Sequence, residues 1–143
     1  MRIFYLLGVF LFVLGCSTSK KTADNSSDWP DDMKGTQWEL IVLDGQNITK
    51  ENTGPKQVYI MLAEKENRFY GSGGCNSVNG TYLHPKPDHL AFSNIASTKM
   101  ACANMEIEKQ FLTMLEKVNN FQLKGDTLVF KVNKNIIAEF IAN

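Results

Sequence analysis

Apolar side chains recur at every second position through most of this chain, in runs too short for anything but β-strands. Trp38, Leu40 and Val42 alternate with Gln37, Glu39 and Ile41, and Val58, Ile60 and Leu62 alternate with Gln57, Tyr59 and Met61. Both segments have strand periodicity with one apolar face. Gly45 and the Thr53-Gly54-Pro55 cluster mark turns between them. Residues 68–71 predict a short strand before a glycine-rich bend, and 80–84 and 90–92 predict two more, flanking Pro85-Lys86-Pro87-Asp88. Phe121 and Leu123, then Leu128, Phe130 and Val132, flank a Gly125-Asp126 turn. Ile136, Ala138 and Phe140 form a last strand after Asn133-Lys134-Asn135. One stretch departs from this period: Ile107, Phe111, Met114, Leu115 and Val118 share one face of a helix. Asn104 is its expected N-cap, Glu106 and Glu108 sit at its positive start, and Lys109, Gln110, Glu116 and Lys117 cover its outer face. Seven or eight short strands and one helix predict a mainly β (α+β) fold. The expected form is a compact antiparallel sheet curled toward closure, with the amphipathic helix packed on it.

The chain has 143 residues, enough for one domain with a real core, and its 15 basic side chains balance 15 acidic ones. That balance argues against nucleic acid as the main partner. The first residues read as an address. Met1-Arg2 precedes an apolar run over 3–14, which is shorter than the roughly 20 residues needed to span a bilayer. Val13-Leu14-Gly15-Cys16 resembles the bacterial lipobox, with Val13 where Leu is more usual. Residues 1–15 are therefore expected to be a lipoprotein signal peptide. Cys16 is expected to become the acylated N-terminus, anchoring the chain in a membrane of the cell envelope. The other reading is an ordinary signal peptide cleaved near Gly15, with Cys16 incidental. Residues 16–34, rich in Ser, Thr, Lys, Asp and Asn, read as a flexible linker, and 35–143 as the folded domain. Ser17 after the Cys suggests sorting to the outer membrane. Ser17-Thr18-Ser19-Lys20 spells S-x-x-K, but that motif needs a helix inside a folded pocket and is set aside.

The segment from Gly71 to Cys102 is the most individual. Gly74-Cys75-Asn76 leads to Gly80-Thr81-Tyr82, and Thr98-Lys99-Met100-Ala101-Cys102 follows. With Trp38-x-Leu40 upstream and Leu128-x-Phe130 downstream, these residues resemble the META domain family, also called HslJ-like. The matching motifs are G-C-N-x-x-x-G-x-Y (Gly74, Cys75, Asn76, Gly80, Tyr82) and T-x-M-A-C (Thr98, Met100, Ala101, Cys102). The resemblance implies a lipocalin-like barrel or half-barrel in a cell-envelope setting. It also implies links to heat shock, novobiocin resistance, secretion and motility. It implies no catalytic residue set.

The residues themselves bear several readings. Gly71, Gly73 and Gly74 do not spell a phosphate loop and predict a bend or bulge where only Gly fits. Asn76 would satisfy turn backbone groups or, alternatively, touch a ligand. Cys75 and Cys102 are the only thiols of the folded part, and outside the cytoplasm an even pair favours a disulfide. Two buried free thiols are the other reading. Met100, Cys102 and Met105 offer soft copper ligands, but Met beside strands is usually core filler. His84 and His89 bracket the Pro-rich loop and read as surface residues rather than a zinc pair. Ser97 and Thr98 have no evident base, and Glu64, Glu66 and the helix Glu residues read as solvated charges. The expectation is no metal, no cofactor and no enzymatic activity. The expected role is a lipid-anchored interaction or stress-related module with an envelope protein as possible partner. The alternative is a lipocalin-like carrier of a small apolar ligand. Against the carrier stand the large strand residues Trp38, Phe69, Tyr82, Phe92, Phe121, Phe130 and Phe140, which would fill a barrel of this size.

Overall fold

The computed structural model describes residues 30–143; the expected signal peptide, the Cys16 anchor and most of the linker lie outside the described residues. A 3-10 turn at Asp31–Met33 leads into β1 (Gln37–Leu43), β2 (Gln46–Asn47), β3 (Val58–Leu62), β4 (Arg68–Gly73), β5 (Ser77–Leu83) and β6 (Ala91–Ser97). The helix α1 (Glu106–Lys117) follows, then β7 (Asn120–Lys124), β8 (Thr127–Val132) and β9 (Asn135–Ala142). The nine strands form one sheet in the order β6-β5-β4-β3-β1-β9-β8-β7, with β2 attached to β1. Every strand pairing is antiparallel. The sheet is curled into a half-barrel with one helix packed on it, as the period-two runs and the single helical run predict.

The curl brings the two sheet edges together at one corner. His89, just before β6, bridges to Asn120 of β7. The Leu90 N–H donates to the Asn119 carbonyl (3.3 Å), and the Phe121 N–H to the Asp88 carbonyl (3.0 Å). The helix is the crossover from the β6 edge to the β7 edge, and it lies against β6 and β4. Its apolar stripe, Ile107, Phe111, Met114 and Leu115, is buried there. Aromatic rings fill the interior between the walls. Phe69 meets Phe92 at 4.8 Å between centroids, Phe92 meets Phe130 at 5.6 Å, and Phe130 meets Phe140 at 4.8 Å. Phe92 and Phe130 sit on strands near opposite edges of the sheet, so their contact spans the barrel's inside. Trp38, Tyr82 and Phe121 are buried in the same core.

Several boundaries differ from the sequence expectation. The folded part starts before residue 35: Met33 is fully buried, its carbonyl accepts the Trp38 indole N–H (3.1 Å), and Lys34 bridges to Leu62. In β1 a register shift between Leu40 and Val42 changes the alternation, so Leu43 rather than Val42 faces the core. β4 runs through Gly71 to Gly73, so the expected bend is confined to the residues after it. β6 extends to Ser97 although Ser93, Asn94 and Ala96 give it no apolar period. Its backbone is held by β5, with a bulge at Asn94 (φ 51°) opposite Gly80.

Candidate functional site

The two motif segments meet at the turn between β4 and β5. Gly74 takes a φ of 106°, a region that favours glycine. The Gly73 N–H donates to the Asn76 carbonyl (2.9 Å), and the Gly74 N–H to Ser72 Oγ (3.2 Å). This turn leaves the N–H groups of Cys75 and Asn76 inside, away from water. Glu108, in the first turn of α1, receives both. Its Oε2 accepts from the Cys75 N–H at 3.0 Å and the Asn76 N–H at 2.6 Å, while Oε1 accepts from Asn76 Nδ2 at 2.6 Å. Glu108 is only 4% exposed. A buried carboxylate is tolerated when hydrogen bonds satisfy it, and here the positive helix start adds to three donors. Gly73 makes the approach possible, since a Cβ there would stand 2.6 Å from Glu108 Cγ.

Asn76, 1% exposed, ties the same turn to the second motif. Its Oδ1 accepts from Thr98 Oγ1 and from the Met100 N–H, each at 2.7 Å. Its Nδ2 donates to the Met100 carbonyl at 3.1 Å as well as to Glu108. The amide's orientation follows from this: its oxygen faces two donors and its nitrogen two acceptors. It pairs with Met100 as a neighbouring strand would. Ser77 and Thr98 add a bond in each direction, from the Ser77 N–H to Thr98 Oγ1 (3.2 Å) and from the Thr98 N–H to the Ser77 carbonyl (3.1 Å). A disulfide completes the junction, joining Cys75 to Cys102 across a Cα separation of 6.2 Å. Of the two readings of these cysteines, the bonded pair is the one observed.

The remaining motif residues serve the core or face solvent. Gly80 lies beneath the Phe69 ring and against the β6 bulge; a Cβ there would stand 2.6 Å from the ring and 2.8 Å from the Ser93 carbonyl. Tyr82 is buried, which pushes its phenol up from the ordinary tyrosine value. Met100 and Ala101 are exposed.

Two expectations about these side chains need correction. Glu108 is not a solvated charge but the centre of the junction. It lies three residues before Phe111 and seven before Leu115, at the margin of the apolar stripe, and that spacing was the signal for it. His84 is partly buried beside the Tyr82 ring (6.2 Å between centroids) rather than on the open surface. Burial, then the charge of Lys34, lowers its pKa. Cys102 is engaged in the disulfide and so is no thiolate ligand beside Met100 and Met105. His89 pairs with Asp88 at 2.7 Å, and that hydrogen bond holds the Asp88 carboxyl below its usual range. The Asn104 side chain accepts from the Glu106 N–H (3.2 Å), one place outside the cap position, which Met105 occupies. Among the described residues no cluster of three or more His, Cys, Asp or Glu is placed to hold a metal ion.

Two grooves flank the junction. One of about 460 Å³ opens between β1 and β3 beneath residues 48–57, with Leu40, Ile48, Thr53 and Lys56 among its walls. The other, about 250 Å³, runs beside Met100 between the second motif and α1.

These observations define a class: small antiparallel half-barrels whose glycine turn is fastened to a single helix and to the segment before it by an Asn, a Glu and a disulfide. The chain belongs to the META domain family, whose model matches residues 31–142. Its fold is similar to a protein solved by NMR, with 20% identity, 78% of this chain and 93% of that one covered, and a TM-score of 0.61. It is also similar to an NMR structure of a protein from Burkholderia xenovorans (19% identity, 80% and 89% covered, TM-score 0.59). A third is the crystal structure of a DUF4847 family protein from Bacteroides vulgatus (14% identity, 78% and 94% covered, TM-score 0.55). At these identities the likeness is one of fold. No curated protein matches the chain.

Proposed function

We propose that this protein is a lipid-anchored, non-enzymatic interaction module of the bacterial cell envelope, tethered through acylated Cys16 and serving a stress-related role at the outer membrane. The observation that carries the reading is how the motif's polar groups are engaged. The Asn76 amide makes four hydrogen bonds, both Glu108 oxygens accept N–H groups, and the Thr98 hydroxyl donates to Asn76. The constellation thus holds a shape and presents no nucleophile beside a base. The Cys75–Cys102 bond supports an oxidising compartment, consistent with export. The carrier alternative has less support, because aromatic side chains fill the space a ligand would take.

Fractionation and mass spectrometry of the full chain expressed in bacteria test the anchor. The expected N-terminal peptide begins at Cys16 and carries acyl mass, and Cys16→Ser moves the protein from the membrane to the soluble periplasmic fraction. An unacylated N-terminus, or a Cys16→Ser protein that stays with the membrane, refutes the anchor. A photoreactive side chain at exposed positions tests the interaction role, which fails if no position yields a protein adduct in living cells.

A further inference from the structure

Met100 has both main-chain groups held by the Asn76 amide, and Cys102, two residues on, is covalently fixed. The residue is nevertheless 51% exposed. The junction therefore displays a thioether from a backbone clamped on both sides. That thioether walls the groove of about 250 Å³, with Ala101, Met105 and Leu112 as further apolar lining and Lys99 and Lys109 among its charged residues. Both lysines are exposed, and the one ion pair among the described residues, His89 with Asp88, includes neither. The carboxylate that also lines the groove, Glu108, is turned onto three N–H donors. The groove thus has an apolar floor and a positive rim that no salt bridge among the described residues offsets.

Size and position narrow the occupant. Small-molecule pockets run from about 300 to 1,000 Å³, and this groove falls below that range. It has room for one large side chain, and methionine walls adapt to its shape. The chain enters the barrel where Gly35 bonds Leu62, at one end of β3. Val58, at the other end of β3, pairs with Gly73 beside the junction. The groove therefore sits at the end of the barrel away from the chain's entry.

We propose that this groove docks an acidic segment of a partner protein, which inserts one large apolar side chain between Met100, Met105 and Leu112 and sets carboxylates against Lys99 and Lys109. The proposal rests on the interaction reading above and specifies its surface and its partner's chemistry.

The test uses the full acylated chain in detergent and fluorescein-labelled peptides. The acidic peptide Asp-Glu-Phe-Glu-Asp should bind saturably, at least about tenfold more tightly than its Lys-Lys-Phe-Lys-Lys counterpart or an Asp-Glu-Ala-Glu-Asp control. Added salt should weaken it. Met100→Ala should weaken binding about fivefold. Lys99→Glu with Lys109→Glu should abolish binding of the acidic peptide and admit the basic one. All three residues are exposed, so these variants should fold as the parent does. Equal binding of the acidic and basic peptides, or indifference to the charge reversal, overturns the proposal. So does displacement of the acidic peptide by phosphatidylglycerol vesicles, which would make the groove a lipid contact. A photoreactive side chain at Leu83 or Ile141, both exposed and outside the groove, separates the two levels. If the peptide fails while either position captures an envelope protein, the groove is wrong and the interaction reading stands. If neither these nor position 100 captures one, both fall.

Discussion

Replacing Glu108 by Ala should be among the most damaging single changes available to this domain. The substitution removes the acceptor for the Cys75 N–H, the Asn76 N–H and Asn76 Nδ2, all in residues almost wholly shielded from water. Each orphaned buried donor costs about 1–3 kcal/mol, so three give about 3–9 kcal/mol. Removing the carboxylate also lifts its own desolvation cost, which draws the net toward the lower end, about 3–4 kcal/mol. Glu108→Gln separates the donors from the charge. Its amide oxygen can still accept the two main-chain N–H groups, while its NH2 meets Asn76 Nδ2 donor to donor, at a cost of about 1–2 kcal/mol. For a domain of this size each kcal/mol moves Tm by roughly 4 °C. The expected losses are therefore about 12–16 °C for Ala and about 4–8 °C for Gln. Thermal and urea unfolding followed by circular dichroism would measure both. A Cys16→Ser background suits the assay, because it removes the expected lipid and alters none of the described residues. A loss under about 1 kcal/mol for Ala would mean the turn's N–H groups find water, and the junction would not be what holds the helix. Equal losses for Ala and Gln would mean that charge, not donor satisfaction, sets the cost.

Other outcomes follow from the same geometry. Gly80→Ala should cost about 1–3 kcal/mol by forcing a Cβ into the Phe69 ring and the Ser93 carbonyl, seen as a lower urea midpoint with an unchanged slope. Replacing Cys75 and Cys102 together by Ser should cost about 2–4 kcal/mol, since chain entropy for residues 27 apart gives roughly 3.6 kcal/mol. The parent should also run faster on a non-reducing gel than after reduction. Stability should rise with pH up to about His84's ordinary value of 6.5. The folded state binds the His84 proton less tightly than the unfolded chain does, so acidification through that value favours unfolding. Melting temperatures from about pH 5 to pH 7.5 should lose this contribution in His84→Gln.

What the sequence disclosed about this fold followed from period and punctuation. Alternation at Trp38 and Leu40 and at Val58 to Leu62 marks strands because one sheet face is buried and the other is more open, whereas Val129 is buried between Leu128 and Phe130. Beyond residue 92 β6 carries no strand pattern, because most of its residues are small and polar, and pairing with β5 makes it a strand. The glycines were legible as a special site, but their reason was not local. Gly73 is small because Glu108, 35 residues later, needs the space, and no spacing rule links the two. In sequence Asn76 fits a turn residue or a ligand contact; its partners are mostly distant, at Thr98, Met100 and Glu108. A buried Glu beside an amphipathic stripe, downstream of a glycine turn with free N–H groups, is the pattern that would have joined them.

The place of β9 bears on how the chain reaches this state. β9 is the last strand of the domain in sequence, yet it lies between β1, the first, and β8. If the polypeptide is exported as proposed, β1 keeps a bare edge on the far side of the membrane until residue 142 has cleared. During that interval the exposed edge is open to any passing strand, and contacts so distant in sequence form slowly. An N-terminal lipid attached early would hold the unfinished molecule at the bilayer through the whole of that vulnerable period. An escort that shields β1, or a secretion rate faster than strand exchange, would then govern the yield of correctly closed barrels.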